Sequence, residues 1–250
     1  VILLDRLAAT GKSFYCVTFS IRSGSSLLCE DLTQWGLGAP TEYFQLPTAP
    51  VLEVGELADY VVKVVEETPG DVFGVKMSWQ QTYALGDHLH KEGETSAEFD
   101  LRSVFPGLRY VHISRKDKIA QAVSGWRSLQ TGVWHHPVGE TVVPGQPPYD
   151  FERIKAVLLQ CIAEDWLWRS FFEDRSIDAL DLVYEEYVQD RVAGLGEIAR
   201  FLDQEPALVA PTDRLNVLQD EWSAGIIDRA RADLFSPPSP NWTQSLFHAL

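Results

Sequence analysis

Arg22-Ser23-Gly24-Ser25-Ser26 follows directly on a β-branched and aromatic run, Tyr15 to Phe19, and leads into Leu27, Leu28, Leu32 and Trp35 at helical spacing. A strand, a loop of small residues and a helix N-terminus, in that order, make an anion-binding device. Free backbone N–H groups and the positive end of the helix dipole converge on one spot. Gly24 lets the backbone approach a ligand closely, and Ser23, Ser25 and Ser26 add hydroxyl donors. Arg22 adds a permanent charge whose fork geometry suits phosphate or sulfate oxygens. An ordinary βα turn capped by serines has the same sequence signature, so the motif alone does not decide. Gly11-Lys12-Ser13 looks like the tail of a nucleotide-binding P-loop, but Arg6 stands where that motif needs its first glycine. The triplet also precedes the strand instead of following it, and it reads as a surface turn.

A second basic cluster follows another strand. His112-Ile113-Ser114-Arg115-Lys116-Asp117 runs into a helix that carries Ser124. An arginine just after a strand and a serine about two turns into the next helix can pinch one phosphate from two sides; a solvated Arg-Lys-Asp-Lys turn is the alternative. Lys76, at the end of a strand, can neutralise anionic oxygens or simply extend its charge to solvent. Trp79, Trp126 and Trp134 offer flat faces, but the spacing of Trp126 and Trp134 on one helix favours the core. His135 and His136, adjacent on a loop, point in different directions and make a poor metal pair or base.

These groups stand out because of the chain around them. Its 250 residues carry a net charge of −15, which argues against a general affinity for nucleic acid or anionic membrane. An anionic ligand must therefore find a local basic pocket. With 45% hydrophobic residues and 8 tryptophans the chain can bury a large core, expected as a single domain over 1–250. Cys16, Cys29 and Cys161 lack metal-ligand spacing, and the odd count suggests reduced, mostly buried thiols in a cytoplasmic protein. No run is long enough to span a bilayer and no metal site is expected.

The elements alternate. After the first strand and helix, a Pro-rich loop carries Thr41-Glu42-Tyr43-Phe44, and Leu52 to Glu67 reads as a helix. A short strand over Val72 to Met77 leads to Ser78-Trp79-Gln80-Gln81, read as an active-site loop. Arg109 to Ile113 is a strand, and a helix from Asp117 is expected to run to about Trp134. A Pro/Gly-rich loop from His135 to Pro148 is long enough to be a lid. Phe151 to Phe172 reads as a helix, Ala179 to Tyr184 as a strand and Glu186 to Leu202 as one further helix. The alternation predicts an α/β fold, a mostly parallel sheet with helices on both faces and ligands beyond the carboxyl ends of its strands.

The ordered set of motifs resembles the sulfotransferases that use 3′-phosphoadenosine 5′-phosphosulfate (PAPS), and more narrowly their bacterial trehalose 2-sulfotransferase-like branch. The matching stretches are Arg22 to Leu28, Glu42-Tyr43-Phe44, Gly74 to Gln81, His112 to Arg115, Gln121 to Arg127, Gln130 to Trp134 and Asp220-Glu221-Trp222. They fall in family order from about residue 14 to 235. The resemblance implies a P-loop-NTPase-like sulfotransferase fold in which the first βα loop, Arg22 to Leu27, binds the 5′-phosphosulfate. Arg115 and Ser124 would bind the 3′-phosphate, and Glu42 would be the general base, with no metal required. Lys76 would assist at the sulfuryl oxygens. The aromatic, Pro-rich loop around Glu42 would bury it in part, which favours a raised pKa. The commoner sulfotransferases place Lys where this chain has Arg22, and their Arg-to-Ser spacing differs by one from that of Arg115 and Ser124. The implied acceptor is a hydroxyl of a small carbohydrate or glycolipid, and members of the branch dimerise. A P-loop-type ATP-dependent kinase and a non-catalytic nucleotide-binding protein of the same fold are the competing readings. The kinase lacks its GxxxxGK[ST] motif here, and Asp220 and Glu221 receive no role.

Overall fold

The computed structural model of this chain describes residues 2–45, 56–96, 98–134, 138, 145–205, 207, 209–214 and 220–236. Helix α1 (Ile2–Ala8) leads into strand β1 (Ser13–Phe19) and helix α2 (Ser25–Gln34). Helix α3 (Glu56–Glu67), strand β2 (Val72–Ser78) and helix α4 (Trp79–Lys91) follow. Strand β3 (Arg109–Ser114) precedes the helices α5 (Lys118–Thr131) and α6 (Phe151–Asp174). Strand β4 (Leu180–Val183), the short helix α7 (Tyr184–Tyr187), α8 (Arg191–Phe201) and α9 (Glu221–Phe235) complete the described chain.

The four strands pair in parallel in the order β2-β1-β3-β4. Residues alternate across them. Phe14, Cys16, Phe73, Val75, Met77 and Tyr110 join one core with α1, α3, α4 and the last turns of α6. Tyr15, Val17, Phe19, Val111 and Ile113 face the other way, against α2 and α8. A strand buried on both faces reads as a continuous apolar run, which is why β1 was legible. A third cluster joins α5, α9 and the first turns of α6 through Trp126, Ile154, Val157 and Ile227.

The chain leaves β1 for a neighbour on one side, β2, and then crosses over to β3 on the other. The loops after β1 and β3 therefore diverge, and the crevice between them is the switch point where ligands of open α/β sheets bind. Both basic clusters of the sequence lie there.

Several boundaries differ from expectation. Ser78 to Gln81 is no loop: Ser78 caps α4, accepting the Gln81 N–H, while the Gln81 side chain accepts the Ser78 N–H. Helix α5 stops at Gly132, whose φ of 72° ends the helix in the left-handed region, so Trp134 lies outside it and is exposed. The single helix expected over 186–202 is broken at Asp190, which caps α8, and the sequence reading missed α1. The Gly11–Ser13 turn is a surface turn, held by Lys12 donating to the Thr68 and Gly70 carbonyls. The start of the helix expected from Leu52 and most of the 135–148 loop, His135 and His136 included, lie outside the described residues.

Candidate active site

The loop between β1 and α2 turns on one backbone bond, Ser23 N–H to the Ser20 carbonyl at 3.2 Å. Arg22 (φ 59°) and Gly24 (φ 95°) both adopt left-handed backbone, a geometry that turns successive N–H groups toward one concavity. A Cβ on Gly24 would lie 2.1 Å from the Tyr184 ring, so glycine is required there for space as well as for φ. No side chain caps α2 and its first turn carries no acidic residue, which leaves its dipole facing the crevice. Ser23 is fully buried, and its Oγ has no hydrogen-bond partner among the described residues. Such an orphan in a native fold calls for an explanation, and a missing ligand is one.

Across the crevice, Asp117 caps α5 by accepting the Ala120 N–H, and Arg115 projects from the end of β3. Its guanidinium lies over the Tyr184 ring, 5.1 Å from the centroid. The Arg115 Nε is buried without a hydrogen bond, with a Glu185 oxygen 3.5 Å away. Glu185 is otherwise engaged, accepting the Lys116 and Asp117 N–H groups. Burial opposes its ionisation, but those N–H groups hold its carboxyl below its usual value.

Arg22 Nε donates to Ser124 Oγ at 2.9 Å, and another guanidinium nitrogen donates to the Trp134 carbonyl. The fold thus brings Arg22, Arg115 and Ser124 into one cluster. Burial first, and then the charge of Arg115, pull the Arg22 pKa down to about 10. The group stays charged at neutral pH, and an arriving anion relieves both penalties.

Glu42 lies on the far side of the same loop. The Thr41 carbonyl accepts the Lys76 N–H at 3.0 Å, laying the loop along the free edge of β2. Tyr43 stacks on Phe73 and Phe44 is buried, which fixes the residues just after Glu42. Glu42 pairs with Lys76 at 2.8 Å, and Lys76 Nζ reaches Ser26 Oγ at 3.2 Å. Lys76 lies within β2 and is buried, its ammonium 4.7 Å from the Phe19 ring centroid, so it does not extend to solvent. Gln81 Nε2 donates to the other Glu42 oxygen at 2.7 Å.

Two residues to which the sequence gives no role of their own join the site. Tyr184 roofs Gly24 and stacks on Arg115, and Gln81 both caps α4 and binds Glu42. A capping signature, Ser followed three residues later by Gln, was present for the second; nothing in sequence marked the first. Trp79 packs edge-on against Trp168 in the core and Trp126 is buried, whereas Trp134, at the rim, offers its carbonyl to Arg22. Asp220 binds Arg127 and caps α9. The three cysteines are free and buried, and burial lifts Cys29 and Cys161 to about 12. Among the described residues no cluster of His, Cys, Asp or Glu could hold a metal, and no helix is long and apolar enough to cross a membrane.

An uncapped helix, two arginines and a carboxylate–lysine pair meet around a sheet switch point, an arrangement suited to an anionic ligand. Residues 48–233 match the family model described as Stf0 sulphotransferase, and the chain belongs to that family. It is 30% identical over 257 residues to trehalose 2-sulfotransferase of Mycolicibacterium smegmatis, an alignment covering 88% of this chain and 94% of that one. The trehalose 2-sulfotransferase of Mycobacterium tuberculosis is 28% identical over 260 residues, with the same coverage, 88% and 94%. A sulfotransferase structure from Alicyclobacillus acidocaldarius superposes with a TM-score of 0.48 at 13% identity, over 91% of this chain and 98% of that one.

Proposed function

We propose that the protein moves a sulfuryl group from PAPS to a hydroxyl of a carbohydrate or glycolipid. The observation that carries this is the cluster of Arg22, Arg115, Ser124 and the uncapped α2 around the buried Ser23 Oγ and Arg115 Nε, which have no hydrogen-bond partner among the described residues. In a chain of net charge −15 such a concentration of positive potential suits a polyanion. When bound, PAPS would supply the sulfuryl group together with a nucleotide phosphate as its leaving group. The α2 amides from Gly24 to Leu27, with Ser25 and Ser26, would hold the 5′ end, and Arg22 would balance charge developing on the leaving phosphate. Arg115 and Ser124 would hold the 3′-phosphate.

Lys76 touches both Glu42 and Ser26, so it spans from the carboxylate to the donor loop. It is suited to neutralise the sulfuryl oxygens in flight. Glu42 would take the proton of the acceptor hydroxyl, with Gln81 and Lys76 keeping its carboxylate turned toward the crevice. The two trehalose 2-sulfotransferases support a sugar hydroxyl as acceptor. Sulfuryl transfer by this route needs positioning and charge but no metal.

Glu42→Gln tests the assignment, because it keeps shape while removing the basic site. Affinity for 3′,5′-ADP should hold, and turnover with labelled PAPS and a sugar or glycolipid acceptor should fall by about a hundred- to ten-thousandfold. The acid limb of the rate profile should vanish with it. Near-normal turnover would remove Glu42 from the reaction. In thermal shift, 3′,5′-ADP should stabilise the wild type strongly; stabilisation by ATP with magnesium instead would overturn the sulfotransfer reading.

A further inference from the structure

Beneath the Arg22 loop lies a polar cluster that the proposed chemistry does not use. Ser20 Oγ, fully buried, donates to Asp165 Oδ1 at 2.6 Å. Gln121, also fully buried, donates from Nε2 to Ser20 Oγ at 2.9 Å and to the Ile21 carbonyl at 2.7 Å. Lys118 Nζ binds the second Asp165 oxygen and reaches Gln121 Oε1 at 3.2 Å. Three elements meet here: the end of β1, the first turn of α5, and α6.

A buried ion pair with its hydrogen bonds is weak evidence for stability, since apolar residues of similar volume fill such a space about as well. What it supplies that apolar packing does not is direction. The Gln121 bond holds the Ile21 peptide, and Ile21 precedes Arg22, whose left-handed backbone a non-glycine residue keeps only when its surroundings over-determine it. On α5, Gln121 lies one turn before Ser124, the residue that Arg22 reaches across the crevice. Gly125, the next residue, lets α5 press on Ile21: a Cβ there would come within 3.2 Å of the Ile21 side chain. Gln121 thus ties the two walls of the site together through one side chain.

We infer that Gln121, backed by Ser20 and Asp165, is a positioning latch that fixes the Arg22 loop against the Arg115–Ser124 wall, so that one ligand carrying two phosphates is gripped at both ends at once. This rests on the donor site proposed above. A ligand held at two rigidly spaced points gains affinity because the second contact is intramolecular; the gain is lost when spacing wanders, even if each contact survives. The latch therefore acts on the ratio between two-ended and one-ended ligands.

The test is calorimetric binding of 3′,5′-ADP, 5′-AMP and 3′-AMP to the wild type, Gln121→Met and Ser20→Ala. In the wild type, 3′,5′-ADP should bind about a hundredfold tighter than either monophosphate. In Gln121→Met that advantage should shrink by about tenfold while each monophosphate keeps its affinity within about threefold. Ser20→Ala, which removes the hydroxyl between Gln121 and Asp165 and leaves only the Lys118 bridge, changes volume less; it should move the ratio in the same direction and keeps the test open if Gln121→Met folds poorly. An unchanged ratio in both variants overturns the latch. So does an equal loss for all three ligands, the mark of a merely structural role. A wild type with no preference for 3′,5′-ADP would instead overturn the donor site itself.

Discussion

Arginines drawn partly or fully out of solvent occupy two kinds of surroundings in this molecule, packing contacts between helices and the crevice, and their partners differ. At the α5–α9 contact, Arg127 donates to both Asp220 oxygens at 3.0 and 2.9 Å, to Ser223 and to the Gly145 carbonyl, and lies over Trp222. At the α2–α8 contact, Arg191 binds Asp31, which is fully buried and also accepts from Tyr187, and reaches Asp213 as well. In the crevice, by contrast, Arg22 donates to a hydroxyl and a carbonyl, and among the described residues it has no carboxylate within ion-pair distance. Among those residues Arg115 has only Glu185, at 3.5 Å, and that carboxylate serves two backbone N–H groups. Among the described residues Arg175, Arg200 and Arg229 also lack a close carboxylate, but all three are exposed; a half-buried arginine without one is the exception. Direct hydrogen bonding to a carboxylate, more than burial, separates the arginines that hold the fold from the two in the crevice.

Substitutions on each side should break or sharpen that contrast. Arg191→Met leaves Asp31 buried and uncompensated, and should cost about 3–5 kcal/mol of folding stability by denaturant titration. Its effect on turnover per folded molecule should be small, and a stability loss under about 1 kcal/mol would erase the distinction. Arg22→Ala should do the reverse. Turnover efficiency should fall about a hundredfold, or about 2.7 kcal/mol of transition-state stabilisation. Stability should change by less than about 1 kcal/mol, since a repulsion with Arg115 leaves with the charge.

Arg115→Ala should weaken 3′,5′-ADP about tenfold more than adenosine 5′-phosphosulfate, which lacks the 3′-phosphate. Equal losses for the two would detach Arg115 from that phosphate. The smallest effect concerns a neutral group kept dry. His112 is fully buried, bonded through Nδ1 to Thr18, and burial lowers its pKa despite the pull of Asp165 and Asp181; Arg169 and Lys118 push the same way as burial. A folded-state pKa below the unfolded value of about 6.5 gives stability that is complete above that pH and is lost as pH falls. His112→Gln should therefore flatten the decline in unfolding midpoint below about pH 6.5; a parallel decline would show that other groups govern it.

What could be read in advance divides along the same line. β1, the loop after it and the segment after β3 were legible because they use local signals: an apolar run, small residues and a helix start. Glu42 was reached only through resemblance, since nothing local distinguishes it from other acidic residues. Contacts between distant segments were not legible. The Arg22–Ser124 bond joins residues 102 positions apart, and Tyr184 reaches Gly24 only because β4 lies beside β3. Ser78 to Gln81 was misread because a polar stretch after a strand suits a loop and a capped helix start equally, and the capping signature decides between them. The break at Asp190 is likewise a cap within an apolar pattern, and Gly132 ends the helix before Trp134.

The double use of Gln81 has a consequence for anyone trying to harden this protein against heat. Rules for strengthening helix starts rank Glu beside Gln at the third position after a serine cap, and favour the acid for its interaction with the helix dipole. At this position they would select Gln81→Glu. That change would keep the cap and set a second carboxylate against Glu42, at the place where an amide now stands 2.7 Å away. An optimiser scoring fold alone would accept the change, and the same substitution would set like charge against the carboxylate proposed as general base.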